Sequence, residues 1–77
     1  MNRPAPDQTM HTVCVNGETR LLAKGTHVDA IVGLFAGGQE DGVAVAVNGE
    51  IIPRRQWRER EVCNGDHLEI VRAVQGG

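Results

Sequence analysis

The sequence has 77 residues, a length that allows one small domain. Its formal net charge is −2 and its aromatic residues are one Phe and one Trp, so it lacks the cations and rings that bind nucleic acid. No apolar run is long enough to predict a membrane span or a signal peptide. Two cysteines, Cys14 and Cys63, are too few for a disulfide-built domain, which predicts reduced thiols and a cytoplasmic protein.

The chain divides into three parts of different composition. Residues 1–11 contain two prolines and show no hydrophobic periodicity, so we predict a flexible N-terminal extension. Residues 12–74 alternate between apolar runs and turn-forming pairs, as a folded domain does. Residues 75–77 read Gln-Gly-Gly and have no apolar side chain to anchor them, so we predict a flexible C-terminal tail.

A β-hairpin is predicted at the start of the domain. Residues 12–15 and 18–22 form two extended runs, and Asn16-Gly17 lies between them. Asn-Gly favours a type I′ turn because both central positions of that turn need a positive φ. A two-residue loop pairs Val13 with Arg20, so the alkyl part of Arg20 would cover the edge of the core.

One main helix is predicted over about residues 26–36. Its apolar residues follow helical spacing and define one face: Val28, Ile31, Val32 and Phe35. Leu34 widens that face, Thr26 suits the N-cap position, and Gly37-Gly38 suits the C-terminal end.

The second half of the chain predicts three more strands and a helical turn. The strands lie at residues 43–47, 50–52 and 67–74, and the turn follows Pro53. A single helix covers one face of a sheet, and the crossover allows the first and last strands to pair in parallel. The predicted fold is therefore α+β, a ubiquitin-like β-grasp in which a mixed sheet packs on one main helix.

The C-terminal Gly76-Gly77 pair is the feature that most favours a chemical role. Glycine lets the backbone enter a narrow enzyme channel because no side chain widens it. The spacing of the histidines and of Cys14 and Cys63 predicts no metal centre, and no nucleophile–base pair is apparent. We therefore expect a protein on which other enzymes act, and not an enzyme.

Several short motifs together resemble the thiamine-biosynthesis sulfur carriers, the ThiS family. They are Asn48-Gly49 after an alternating strand, Pro53-Arg54 followed by Trp57, Asn64-Gly65-Asp66 before the last strand, and the terminal Gly76-Gly77. The resemblance covers about residues 12–77 and extends more loosely to the small subunit of molybdopterin synthase and to ubiquitin. The N-terminal extension and Arg20, where related chains often have an apolar residue, depart from the pattern.

The resemblance implies a sulfur carrier that acts through the carboxylate of Gly77, with Gln75 and Gly76 as the tail that presents it. A partner enzyme resembling ThiF or MoeB would use ATP to adenylate that carboxylate. A persulfide enzyme would then supply sulfur to form a thiocarboxylate, and a thiazole synthase resembling ThiG would receive it. No cofactor bound to the carrier itself is expected.

The sheet face that the helix leaves uncovered is a candidate docking surface for the adenylating enzyme. Alternation along the strands places small apolar side chains on that face, beside the tail: Ala44, Ala46, Val71 and Ala73. These side chains would let a partner approach the sheet closely.

Three alternative functions stay open at this point. The same chemistry could serve another pathway, such as the synthesis of molybdopterin, cysteine or a sulfur-containing natural product. The chain could instead be a β-grasp interaction module without tail chemistry, or a modifier attached to lysines of other proteins.

Overall fold

Five strands and one α-helix make up the part of the chain that the computed structural model describes, residues 9–38 and 40–73. In chain order they are β1 (Met10–Val15), β2 (Glu18–Ala23), α1 (Val28–Phe35), β3 (Val43–Val47), β4 (Glu50–Ile51) and β5 (His67–Arg72), with a 3₁₀ turn at Arg54–Gln56. No helix among these residues is long and apolar enough to cross a membrane. Residues 1–8 of the predicted extension and the whole predicted tail, residues 75–77, lie outside the described residues.

The sheet is mixed, and β5 lies at its centre. The strand order is β2-β1-β5-β3-β4. β5 runs parallel to β1 and antiparallel to β3, while the β1–β2 and β3–β4 hairpins are antiparallel. The helix supplies the crossover between the hairpins, so the predicted β-grasp fold is confirmed. Val13 pairs with Arg20, as the two-residue loop predicts.

The first strand begins before the predicted domain boundary at Thr12. Met10 pairs with Ala23, and His11 pairs with Leu22, at the open end of the first hairpin. The predicted start of this strand, at residue 12, is therefore two residues too late. The reason is that partners in β2 supply hydrogen bonds to a stretch whose own sequence shows no strand periodicity.

Two of the three Asn-Gly pairs, those in the β1–β2 and β3–β4 turns, also hold the central strand. Asn16 and Asn48 each have a φ of 52°, as a type I′ turn requires. The side-chain amide of Asn16 accepts a hydrogen bond from the Ile70 N–H at 2.8 Å and donates one to the Ile70 carbonyl at 3.2 Å. The Oδ1 atom of Asn48 accepts a hydrogen bond from the His67 N–H at 2.9 Å. Each asparagine therefore pairs with the backbone of β5 through its side chain.

The core is built mainly from branched aliphatic side chains around one tryptophan. Its buried members are Val13, Val15, Val28, Ile31, Val32, Ala36, Val45, Val47, Ile52, Trp57, Val62 and Leu68. Trp57 is 2% exposed in this core, and its Nε1 donates a hydrogen bond to the Ile52 carbonyl at 2.9 Å. An indole buried with its N–H satisfied gains apolar burial without an orphaned donor.

The predicted helix face is partly wrong at its C-terminal end. Leu34 is 73% exposed and does not widen the buried face, and Phe35 is 36% exposed. The guanidinium carbon of Arg20 lies 5.3 Å from the centroid of the Phe35 ring, within the range of a cation–π contact. Arg20 therefore lies on the helix side of β2, where its guanidinium covers this ring.

The start of α1 is also different from the prediction. The helix begins at Val28, with His27 at the N-cap position and no side-chain cap, while Thr26 Oγ1 donates a hydrogen bond to the Ala23 carbonyl at 2.7 Å. The first helical N–H groups donate to backbone carbonyls further along the chain, Val28 to Arg60 at 2.9 Å and Asp29 to Trp57 at 3.2 Å. Tertiary contacts thus satisfy the donors that a capping side chain would otherwise take.

Replacing Asn16 by glycine should lower the free energy of unfolding by about 1–3 kcal/mol. Glycine accepts the positive φ without strain, so the loss reports mainly the two side-chain hydrogen bonds to Ile70, each worth about 0.5–1.5 kcal/mol. Urea unfolding followed by circular dichroism measures the change. Asn16→Asp is the matched control, because a carboxylate keeps the acceptor and loses the donor, and its stability should fall in between. A glycine variant as stable as the unaltered chain would contradict this role.

Candidate functional site

The end of β5 is fixed to the residues that precede β3. The N–H of Ala73 donates a hydrogen bond to the Gly42 carbonyl at 2.7 Å, one step beyond the last strand pair, Val43 with Arg72. Gly42 has a φ of +76°, a conformation that glycine adopts without strain. The backbone is therefore held in place as far as Ala73, two residues before the start of the predicted tail.

The side chain of Arg72 ties the same end of β5 to the helix. Its Nη2 atom donates a hydrogen bond to the carbonyl of Ala36, directly after the end of α1. Carbonyls at a helix C-terminus lack intrahelical partners and carry partial negative charge, so a cation is favourable there. The end of β5 is thus held from two sides.

The uncovered face of the sheet carries the four residues that were predicted there. Ala44 pairs directly with Val71, and Ala73 follows on the same side of β5. Ala44 and Ala73 are exposed, Ala46 is half-buried, and Val71 is 60% exposed, whereas the alternate side chains of both strands face the helix. The structure brings these residues together on one face, and their role in docking stays a prediction.

Ile51 lies on the same face and was not among the predicted residues. It pairs with Ala46 across β3 and β4 and is 70% exposed. The β5 partner of Ala46 is Glu69, so an acid borders this apolar surface. The sequence did contain a signal for the position of Ile51, because the two-residue Asn48-Gly49 loop fixes the pairing of Ala46 with Ile51. We call the following residues the outer face: Ala44, Ala46, Ile51, Val71 and Ala73.

Cys14 lines a shallow cleft near the opposite end of β5. It is half-buried and pairs with His67 across the parallel β1–β5 ladder. The cleft has a volume of about 530 Å³ and includes residues of the β1–β2 and β3–β4 turns. Cys14 and Cys63 have free thiols, and no group of three His, Cys, Asp or Glu side chains within residues 9–38 and 40–73 could hold a metal ion. Cys14 is therefore a strand residue with no metal-ligand cluster among its described neighbours.

Comparison with known proteins gives a match to the ThiS family over residues 13–77. Among curated relatives, the chain is 36% identical over 39 residues to the sulfur carrier protein ThiS of Escherichia coli strain K12, covering 51% of this chain and 59% of that protein. It is 38% identical over 63 residues to the thiazole synthase of Paramagnetospirillum magneticum, covering 82% of this chain and 19% of that protein. The chain thus spans less than two thirds of the length of either relative.

Solved structures agree with the family match. The crystal structure of the thiamine biosynthesis protein (ThiS) from Geobacter metallireducens superimposes with a TM-score of 0.71 at 26% identity, covering 86% of this chain and 99% of that one. A ubiquitin-like domain solved in solution superimposes with a TM-score of 0.61 at 17% identity, covering 100% of this chain and 88% of that one. The second likeness concerns the fold alone.

Proposed function

The chain belongs to the ThiS family, and we propose that it is a sulfur carrier of thiamine biosynthesis whose reactive group is the Gly77 carboxylate. The observation that carries this proposal is the family match, which runs through the last strand to Gly77. The structure adds support, because the backbone is fixed as far as Ala73 by the hydrogen bond to Gly42. A rigid body would then present residues 74–77 to partner enzymes.

The proposed chemistry takes place in three steps on partner enzymes. The Gly77 carboxylate attacks the α-phosphorus of ATP and releases pyrophosphate, which leaves an acyl-adenylate with AMP as a good leaving group. A persulfide attacks the acyl carbon, AMP departs, and a second thiol cleaves the resulting acyl disulfide to give the thiocarboxylate and a new disulfide. ATP is bound by the adenylating enzyme, so the carrier needs no cofactor of its own. This chemistry belongs to the cytoplasm, where thiols stay reduced.

We propose a thiazole synthase as the acceptor of the sulfur. One relative that is itself named a thiazole synthase contains a segment 38% identical to 63 residues of this chain. The presence of a carrier-like segment in the same chain as such an enzyme supports a functional interaction between carrier and synthase, since linking them raises their effective concentration.

The outer face is the proposed docking surface for the adenylating enzyme. The single helix of the described residues packs on the other side of the sheet, and Ile51 and Val71 remain 70% and 60% exposed. Between them lie alanines, whose short side chains allow a partner to approach the strands closely. The face is continuous with Ala73, so docking there would bring residues 74–77 near the partner's active site.

Deleting Gly77 should abolish the gain of sulfur and leave folding unchanged. The deletion leaves the C-terminal carboxylate on Gly76, about 3.5 Å short of the position that the adenylating site requires, and touches none of the core residues. Intact mass after incubation with ATP, the adenylating enzyme and a sulfur source measures the replacement of one oxygen by sulfur. Gly76→Val is the companion variant, which should react slowly because a β-branched side chain obstructs a narrow channel. Equal sulfur gain by the deleted chain would place the chemistry elsewhere and overturn the proposal.

Replacing Ala44 by arginine should weaken binding to the adenylating enzyme by at least about tenfold. Ala44 is exposed, so the fold accommodates the side chain, but a partner on the outer face would have to bury an unpaired guanidinium. Ala30→Arg is the matched control, because Ala30 is exposed on the helix, away from this face. Titration calorimetry measures both affinities. Equal affinities of the two folded variants would show that the partner docks elsewhere.

A further inference from the structure

Arg54 belongs to the Pro-Arg-x-x-Trp motif, and its role is not explained by the core. It lies in the exposed 3₁₀ turn, where Trp57 N–H donates to its carbonyl at 3.0 Å, so its backbone is anchored beside the buried indole. Its Nε and Nη2 atoms donate to Glu40 Oε1 at 3.2 and 3.0 Å, and its Nη1 donates to Asp41 Oδ1 at 3.1 Å. We call this contact between Arg54 and the two acids the Arg54 bridge.

The two acids of the bridge belong to the segment that holds the end of β5. The carbonyl of Glu40 accepts a hydrogen bond from the Val43 N–H at 3.3 Å, and the next residue after Asp41 is Gly42, whose carbonyl binds the Ala73 N–H at 2.7 Å. The bridge, the 40–42 segment and Ala73 therefore form one continuous chain of contacts. It connects the motif to the residue from which residues 74–77 continue.

We propose that Arg54 is a positioning residue for the C-terminal segment: by holding Glu40 and Asp41 it fixes Gly42, and through Gly42 it fixes the direction in which the chain leaves Ala73. The bridge thereby sets the point and direction from which residues 74–77 extend toward the adenylating enzyme. The last step rests on the proposed function, whereas the effect on Ala73 does not.

The chemistry of the bridge suits this role. A guanidinium has donors in a rigid planar arrangement, so it can bind two carboxylates at once and fix their relative position. The hydrogen bonds to Asp41 and Glu40 raise the pKa of Arg54 above its already high ordinary value, so the cation persists at every physiological pH. Exposed ion pairs contribute little to the free energy of unfolding. The Arg54 side chain is 56% exposed, so we expect the bridge to act on local geometry and not on global stability.

The segment directly after the 3₁₀ turn offers a matched control for Arg54. Arg58 is also an exposed arginine, and it borders the shallow cleft between the turn and Glu40. Within residues 9–38 and 40–73 it takes part in none of the side-chain hydrogen bonds or ion pairs that hold the 40–42 segment. Arg58→Gln therefore removes the same charge from the same surface without breaking the bridge.

Two disruptions of the bridge separate positioning from direct contact with a partner. Arg54→Gln removes the cation, and Glu40→Gln combined with Asp41→Asn removes the acids but leaves Arg54 free to contact a partner. In the isolated chain, both should raise the exchange rate of the Ala73 amide about two- to fivefold over Arg58→Gln, since local opening becomes easier. Nuclear magnetic resonance measures this rate without any partner.

The second measurement is the single-turnover rate of adenylation, with the dissociation constant measured separately. Both disruptions should lower the rate about three- to tenfold at unchanged affinity, less than the roughly 100-fold loss that misplacing a reacting group by about 1 Å causes. Arg58→Gln should change neither. Unchanged exchange of the Ala73 amide in both variants would overturn the proposal. So would a lower adenylation rate that occurs only in Arg54→Gln and comes with a weaker affinity for the enzyme. Failure of the unaltered chain to be adenylated would overturn the proposed function, while amide exchange would still decide the effect on Ala73.

Discussion

The parallel pairing of β1 with β5 is the constraint on which the rest of the molecule depends. It joins the first and last strands of the described domain, Val15 opposite Leu68, and both of these side chains are buried against the helix. Parallel neighbours need a crossover, so α1 must pass over one face of the sheet. That passage encloses the core, and within residues 9–38 and 40–73 no helix packs on the other face. The ladder is short, and the amide of Asn16 extends it by pairing with the backbone of Ile70.

The strands and their faces could be predicted from the sequence because their signals are local. Asn-Gly turns fix register, and register fixes which side chains share a face, so the positions of Ala44, Ala46, Val71 and Ala73 follow from alternation. The position of Ile51 on the same face could have been predicted by the same reasoning.

Other features could not be predicted because contacts distant in sequence decide them. The helix starts at Val28 because the carbonyl of Arg60 accepts its first N–H, which no motif near Thr26 reveals. Trp57 is buried because the 57–62 segment folds back over the start of the helix. The hydrogen bonds that hold Ala73 and Arg72 likewise join residues about 30 or more positions apart, so the anchored end of β5 is visible only in the structure.

A carrier of the proposed kind has to satisfy two opposing demands at its C-terminus. In the proposed function the Gly77 carboxylate enters the active sites of two different enzymes, which favours glycine and no side chain near Gly77. Each residue that becomes ordered on entering such a site costs about 1–2 kcal/mol of conformational entropy. Contacts that already hold Ala73 and Arg72 in the free protein limit that cost to the few residues that follow. The same contacts keep the outer face and Ala73 in one fixed relation, so a single docking event on the proposed surface would also orient the segment that follows Ala73.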